Sequence, residues 1–125
     1  DNDGDIDIAV ANNNGPARLL LNEAATGNHW LSIRLQGTGS SRDGAGARVA
    51  VMREGKPALW RRAHTDGSYL SANDPRVHFG LGDDAAIDSV VVKWPNGNRE
   101  TWEYIGADRF VTLVEGSGSP SIEPQ

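Results

Sequence analysis

The residues with the clearest capacity for chemistry open the chain, where aspartates alternate around a glycine in Asp1-Asn2-Asp3-Gly4-Asp5-Ile6-Asp7. Calcium takes six to eight oxygen ligands, and alternating carboxylates in a tight loop can converge on one ion. If Gly4 is the glycine at position six of such a loop, then Asp1 and Asp3 occupy positions three and five. Asp7 would occupy position nine, and Asp5 would supply its backbone carbonyl at position seven. The alternative is a solvated acidic terminus.

In that alignment the first calcium ligand precedes Asp1, and the chain also begins without an initiator Met or a signal segment. We therefore expect a fragment of a larger protein, in which the intact loop binds calcium as a cofactor. With one carboxylate missing, the spacing predicts weak or absent calcium binding by this chain itself.

A second candidate site is an aromatic and basic one on the predicted strand 58–65. Trp60, Arg62 and His64 alternate along one face of that strand, and Tyr69 follows in the next loop. An indole beside hydrogen-bond donors suits stacking on a sugar ring, so these four residues are predicted to bind a carbohydrate or an extracellular protein. The alternative is that the tryptophans fill or cover the core. The chain has four of them, at positions 30, 60, 94 and 102.

No arrangement of residues in the sequence indicates catalysis. The three histidines, His29, His64 and His78, fall on separate predicted strands without the short spacing of a zinc site. His64 with Asp66, or His78 with Asp74, could form hydrogen-bonded pairs. There is no cysteine, no Gly-x-Ser-x-Gly elbow, no His-Glu-x-x-His motif and no phosphate loop. The sequence therefore predicts a protein that is not an enzyme.

Charge and hydropathy exclude two classes of partner. The net charge is −5, but the first four aspartates supply much of it, and without them 12 basic residues face 13 acidic ones. No segment is strongly basic, so nucleic acid is not an expected partner. The longest apolar run, at 90–92, is strand-sized, so membrane insertion is not expected either.

Short alternating segments separated by turn residues indicate the elements that position these sites. In the segment 29–36, Leu31, Ile33 and Leu35 share one face. The segment 58–65 has no cleanly apolar face, which is typical of a strand at a sheet edge or over a groove, and Asn96-Gly97 is a strong hairpin signal. The pattern predicts an all-β fold, an antiparallel β-sandwich of about seven to nine short strands.

Ordered motifs along the chain carry a resemblance to known families. Asp-Ile-Asp-Ile-Ala-Val at 5–10, followed by Arg-Leu-Leu-Leu-Asn, resembles the tail of an FG-GAP (VCBS-like) propeller repeat. From Gly27 onward the chain resembles the ASPIC and UnbV domain of the cartilage-acidic-protein-like family. The motifs that carry this resemblance are Gly-Asn-His-Trp-Leu at 27–31, Ser-Arg-Asp-Gly-Ala-Gly-Ala at 41–47, Gly-Ser-Tyr-Leu-Ser at 67–71, Asp-Pro-Arg-Val-His-Phe-Gly-Leu-Gly at 74–82 and Trp-Pro-Asn-Gly at 94–97.

The resemblance implies domain boundaries for the chain and an extracellular location for its parent protein. Residues 1–26 would be the remnant of a calcium-loop repeat, 27–115 the sandwich, and 116–125 a flexible tail. It also implies an extracellular or secreted parent with a calcium-bearing propeller and a role in adhesion or matrix contexts, and it carries no catalytic residues. Two functions follow from it. The first is a non-catalytic binding or adhesion module, and the alternative is a structural C-terminal cap that packs on the parent propeller.

Overall fold

Two sheets packed face to face and a separate hairpin make up the computed structural model, which describes residues 2–24 and 27–121. The hairpin pairs β1 (Ile8–Val10) with β2 (Arg18–Leu20). A three-stranded sheet has the order β6-β3-β9, with bounds β3 His29–Gln36, β6 Val77–Gly82 and β9 Arg109–Val114. A five-stranded sheet has the order β10-β8-β7-β4-β5, with bounds β4 Arg48–Arg53, β5 Lys56–Arg62, β7 Ser89–Lys93, β8 Arg99–Glu103 and β10 Ser119–Pro120.

The predicted all-β sandwich of seven to nine short strands is confirmed, because the two packed sheets hold eight strands within the described ranges. One ladder differs from the antiparallel prediction. β3 and β9 run parallel, from the pair Leu31 and Arg109 to the pair Gln36 and Val114. A parallel neighbour requires a crossover, and here the chain supplies it by building most of the opposite sheet between the two strands. No helix in the described part of the chain is long and apolar enough to cross a membrane.

The core lies between the two sheets and follows the period-two alternation of the strands. Leu31, Ile33 and Leu35 of β3 are all buried, as the sequence predicts. They meet the inward rows of the five-stranded sheet, among them Val49 of β4 and Val92 of β7. Alternate residues of the same strands necessarily point to the outer face of the sheet. The alternation therefore fixes which side chains can serve as a binding surface.

The predicted edge position of the strand that carries Trp60 is confirmed. β5 is the terminal strand of the five-stranded sheet and pairs with β4 alone among the described strands. It follows β4 through a tight turn at Gly55, whose φ is +66°. At such an edge, charged side chains reach water, which explains why neither face of the strand is uniformly apolar.

Residues 116–120 contact the five-stranded sheet, and the flexible tail proposed for 116–125 stays a prediction. β10 pairs with β8, and Gly116 and Gly118 donate backbone hydrogen bonds to the Glu100 carboxylate. A Cβ on Gly118 would lie 2.7 Å from the Trp102 ring, so the chain passes directly over that indole. Residues 116–121 thus complete the sandwich, and residues 122–125 lie outside the described ranges.

Two of the glycine-rich motifs are explained by backbone geometry. Gly44 has φ +62° and packs so closely on Leu35 that a Cβ would meet the Leu35 Cβ at 2.6 Å. The preceding loop is held by Glu115, whose carboxylate accepts backbone hydrogen bonds from residues 38–40 at 2.7–2.8 Å. Asn96 of the Trp-Pro-Asn-Gly turn donates to the same carboxylate at 2.6 Å. Desolvation acts to raise the pKa of Glu115, but these donors outweigh it and lower the pKa from 4.5 to about 2.

Candidate functional site

Trp60 lies on the outer face of the five-stranded sheet and presents its ring to solvent. It stands opposite Ala50, which stands opposite Val91 of β7. These two apolar residues are buried, while Trp60 itself is 41% exposed. The guanidinium carbon of Arg48 lies 5.1 Å from the centroid of the Trp60 ring. The result is a part-exposed indole with buried apolar neighbours on the adjacent strands and a cation beside its ring, an arrangement suited to stacking.

Arg62 and His64 converge on a shared carboxylate at the end of β5. His64 Nδ1 lies 3.0 Å from Asp66 Oδ1, and Arg62 approaches the same oxygen at 3.6 Å. The pKa of Asp66 is lowered first by its own backbone N–H and then by the His64 ring. The predicted His64–Asp66 pair is therefore present. Asp66 thus holds these two donor side chains together after Trp60 in the chain, and all three groups remain exposed to water.

Tyr69 stands apart from the other predicted ligand residues. It is 88% exposed at the tip of the loop between β5 and β6, next to the equally exposed Leu70. Leu70 has φ +52°, an uncommon backbone conformation for a branched side chain. The structure thus brings Arg62 and His64 together at Asp66 and places Tyr69 on a separate projection. Ligand binding by these four residues stays a prediction.

A groove of about 970 Å³ separates the N-terminal segment from the sandwich. Its sandwich wall is basic and includes Arg61, Arg62, His64, Arg76 and His78. Trp60 and Tyr69 do not line it within the described part of the chain. The site predicted as one cluster is therefore divided between the outer sheet face, this groove and the loop tip.

His78 does not form the suggested pair with Asp74. Its ring stacks on Trp30 with centroids 6.1 Å apart, and burial first, then the neighbouring Arg61, lower the pKa of His78. Asp74 instead accepts hydrogen bonds from the backbone and guanidinium of Arg76. The hydrogen bonds from the Arg76 guanidinium are the largest cause that lowers the pKa of Asp74. A charged pair two residues apart satisfies both groups locally, and it leaves His78 to pack on an aromatic neighbour.

The aspartates proposed for calcium have local partners in the structure. Asp3 accepts a hydrogen bond from the Asp5 backbone at 2.9 Å, and Asp7 accepts one from the Asn22 backbone at 2.9 Å. The Asn22 N–H is the largest cause that lowers the pKa of Asp7. Asp1 lies outside the described residues. Within 2–24 and 27–121 no three His, Asp or Glu side chains are grouped as for a metal ion, and calcium binding stays a prediction.

The same segment is seated on the sandwich through Gly4. A Cβ on Gly4 would lie 2.0 Å from the Trp30 ring, so the backbone of the segment rests directly on that indole. Trp30 belongs to the outer face of the three-stranded sheet and also meets Phe110 edge-on at 4.8 Å. The acidic segment therefore lies over the outer face of the three-stranded sheet, and it also borders the groove lined by Arg62 and His64.

A second His–Asp pair, which was not predicted, joins His29 to Asp108. His29 Nδ1 lies 2.6 Å from Asp108 Oδ2, and the other oxygen of Asp108 accepts the Trp30 N–H at 3.1 Å. The His29 ring is the largest cause that lowers the pKa of Asp108. The pair fastens the start of β3 to the loop before β9. This contact gives the histidine of the Gly-Asn-His-Trp motif a structural role. The two residues are 79 positions apart in the chain, so local sequence patterns do not reveal the pair.

The fold and this surface define the class as a small β-sandwich domain with an aromatic and basic outer face. The model of the ASPIC and UnbV family matches residues 37–120, and the chain belongs to that family. It is 31% identical to Cartilage acidic protein 1 of Homo sapiens and to that of Mus musculus, over 103 residues in each case. It is 29% identical over 100 residues to the Xenopus tropicalis protein of the same name. Each match covers 78% of this chain but 15% of the relative.

Proposed function

We propose that this chain is a non-catalytic extracellular binding module that recognises carbohydrate on the outer face of its five-stranded sheet. The observation that carries the proposal is Trp60, which is 41% exposed on a sheet face with the Arg48 guanidinium beside its ring. A single exposed aromatic is common on protein surfaces, but an indole beside a guanidinium on a sheet face offers a ligand both apolar area and hydrogen-bond donors. If the tryptophans served only to fill the core, Trp60 would be buried, and it is 41% exposed.

The chemistry of the surface suits a sugar. The flat indole would cover the C–H face of a pyranose ring, and the N–H groups of Arg48 and Arg62 would donate hydrogen bonds to its hydroxyl or acidic groups. β5 is an edge strand, so a long chain can cross Trp60 without meeting a neighbouring strand. Tyr69, on its exposed loop tip, offers a second aromatic contact to an extended ligand or to an extracellular protein.

The extracellular setting is supported by the relatives named Cartilage acidic protein 1. In a longer parent we propose that the aspartate loop completes a calcium site and that the sandwich packs on the preceding propeller. A structural cap on the propeller is a second candidate function. The close packing of Gly4 on the Trp30 ring specifically favours it. The two roles use opposite faces of the sandwich and are compatible.

The absence of catalysis is part of the proposal. The His64–Asp66 pair lies in an exposed loop and the His29–Asp108 pair joins the first residue of β3 to a loop, and in both pairs the carboxylate also accepts a backbone N–H. We expect no turnover on glycosidic, ester or peptide substrates. Reproducible hydrolysis that disappears in His64→Ala or His78→Ala would contradict this expectation.

The experiment that tests the binding function is a glycan and matrix-protein array probed with the wild-type chain, Trp60→Ala and Tyr104→Ala. Tyr104 is a matched control because it is an exposed aromatic at 95% exposure on another strand end. We expect binding by the wild-type chain and Tyr104→Ala, and a loss of signal in Trp60→Ala. Equal signals from all three proteins would contradict the placement of the site at Trp60.

A further inference from the structure

The loop between β5 and β6 ends in two adjacent apolar side chains that are almost completely exposed. Tyr69 is 88% exposed and Leu70 is 89% exposed at its tip. Leu70 has φ +52°, a backbone conformation that a branched side chain rarely adopts. Strain of this kind persists only where the surrounding structure enforces it, and it is concentrated at functional sites. A loop that only connected two strands would require neither feature.

Hydrogen bonds within the loop hold this tip in a defined conformation. The Asn73 N–H donates to the Thr65 carbonyl at 3.0 Å and closes the neck of the loop, and the Ser71 N–H donates to the Ser68 carbonyl at 3.3 Å. A Cβ on Gly67 would lie 2.4 Å from the Asn73 side-chain nitrogen, so the two sides of the neck are in contact. A partner that covers the tip therefore has little backbone entropy to remove.

The groove beside this loop is lined by further exposed apolar side chains. Leu70 itself lines the groove of about 970 Å³ that separates the N-terminal segment from the sandwich. The segment wall contributes Ile6 and Ile8, which are 60% and 55% exposed, and Phe110 of β9 is 42% exposed. Single apolar residues scattered over a surface need no explanation, but several around one groove mark an interaction site.

The groove carries charges of both signs on opposite walls. Asp5 and Asp7 lie on the segment wall, and the sandwich wall includes Arg61 and His78. The two other arginines of the sandwich wall pair with neighbouring aspartates of the same copy. The groove therefore does not attract a polyanion or an anionic membrane. A partner that fits it carries apolar side chains together with an acidic and a basic side.

We propose that this surface binds a second copy of the same chain. A twofold axis through the centre of the groove turns the acidic wall of one copy onto the basic wall of the other, and it does so twice. The same rotation brings the tip with Tyr69 and Leu70, which belongs to the sandwich side, against Ile6 and Ile8 of the other copy. A surface that is complementary to itself in this way forms a closed dimer.

The exposed apolar area is sufficient for such a dimer. Each copy exposes five large side chains around the groove and the loop tip, namely Ile6, Ile8, Tyr69, Leu70 and Phe110. If each buries roughly 100 Å², two copies bury about 1,000 Å², the lower limit for a specific interface, so the dimer should form reversibly. This inference goes beyond the proposed carbohydrate function, because Trp60 does not line the groove in the described part of the chain.

The test is analytical ultracentrifugation of the 125-residue chain at concentrations from about 1 μM to about 1 mM, where we expect a monomer–dimer equilibrium. Leu70→Asn removes the apolar side chain and introduces a residue that tolerates positive φ, so it should weaken dimerisation about tenfold without loss of folding stability. Ile8→Thr retains a strand-forming residue on the other side of the contact and should weaken dimerisation by a similar factor. Leu19→Thr is the matched control, because Leu19 is 64% exposed on the same hairpin and is not among the described residues that line the groove.

Cysteine cross-linking locates the contact independently of affinity. The chain contains no cysteine, so a disulfide between Tyr69→Cys and Ile6→Cys proteins in a mixture joins two copies. It forms only where the two Cα atoms approach within about 7 Å. We expect this mixed disulfide to form under mild oxidation. A mixture of Tyr69→Cys with Leu19→Cys should show only the background rate.

The outcomes that overturn the dimer differ from those that overturn the proposed function. A chain that stays monomeric up to about 1 mM would contradict it. A dimer that is unchanged in Leu70→Asn and Ile8→Thr, or that is weakened only by Leu19→Thr, would place the interface elsewhere and contradict it as well. Trp60→Ala should dimerise like the wild type. Glycan binding by a monomer would therefore refute the dimer alone, and a dimer that binds no glycan would refute the carbohydrate function alone.

Discussion

Replacing Glu100 with Gln is expected to loosen the ordered tail and destabilise the whole sandwich. Glu100 is buried, and its carboxylate accepts the Trp94 Nε1–H at 2.7 Å, the Gly116 N–H at 3.0–3.1 Å and the Gly118 N–H at 3.2 Å. In glutamine, one oxygen becomes an NH₂ group that faces an N–H donor instead of accepting from it. At least one charge-assisted bond is lost and one buried donor is left unpaired, which costs about 2 to 4 kcal/mol.

Urea unfolding followed by tryptophan fluorescence measures this loss, and hydrogen exchange at Gly116 and Gly118 locates it. For a chain of this size we expect the melting temperature to fall by about 10 °C. Glu103→Gln is the matched control, because Glu103 is an exposed glutamate on the same strand, and it should change stability by less than about 0.5 kcal/mol. If Glu100→Gln costs no more than this control, the tail does not depend on the buried carboxylate and the reasoning is refuted.

Three other perturbations test separate parts of the structure. The pKa of Glu115 is lowered to about 2, so its contribution to stability is present above pH 4.5 and is lost as the pH falls towards 2. The difference in melting temperature between wild type and Glu115→Gln should therefore shrink across that window, and a constant difference would contradict it. Gly4→Ala places a Cβ 2.0 Å from the Trp30 ring and should speed amide exchange in residues 2–10, whereas Gly15→Ala, which meets only Asn12 at 3.4 Å, should not. Calorimetry should detect calcium binding no tighter than about millimolar, and a micromolar site would show that the aspartate loop is aligned wrongly.

The parts of the fold that depend on local pattern could be predicted from the sequence. The alternation in 29–36 gave β3 with its bounds and its buried face, and Asn96-Gly97 gave the hairpin between β7 and β8. The mixed character of 58–65 correctly indicated an edge strand. In each case the information lies within about ten residues, where side-chain periodicity and turn chemistry act directly.

The features that the sequence did not reveal depend on contacts between distant segments. One is the parallel pairing of β3 with β9, and another is the set of hydrogen bonds from the backbone of residues 116–118 to the Glu100 carboxylate. Both join segments that no sequence periodicity connects. The facing of Arg48 and Lys93 was hidden for the same reason, since the two residues meet only after β4 and β7 pair in one register. The pair Lys93 and Arg99 could have been found, because the turn at Asn96-Gly97 fixes that register locally.

Trp60 is proposed to be a ligand-stacking residue on a sheet face and not a core residue. The most direct measurement is calorimetric titration of wild type and Trp60→Ala with a glycan selected on the array, together with urea unfolding of both proteins. Roughly three fifths of the side chain is covered, since Trp60 is 41% exposed, so truncation should cost about 2 kcal/mol of stability and leave the domain folded. Binding should weaken by about 2 kcal/mol, or about thirtyfold, as for an aromatic hot spot. Unchanged affinity, or a stability loss of about 3 to 5 kcal/mol that marks a core residue, would contradict the account.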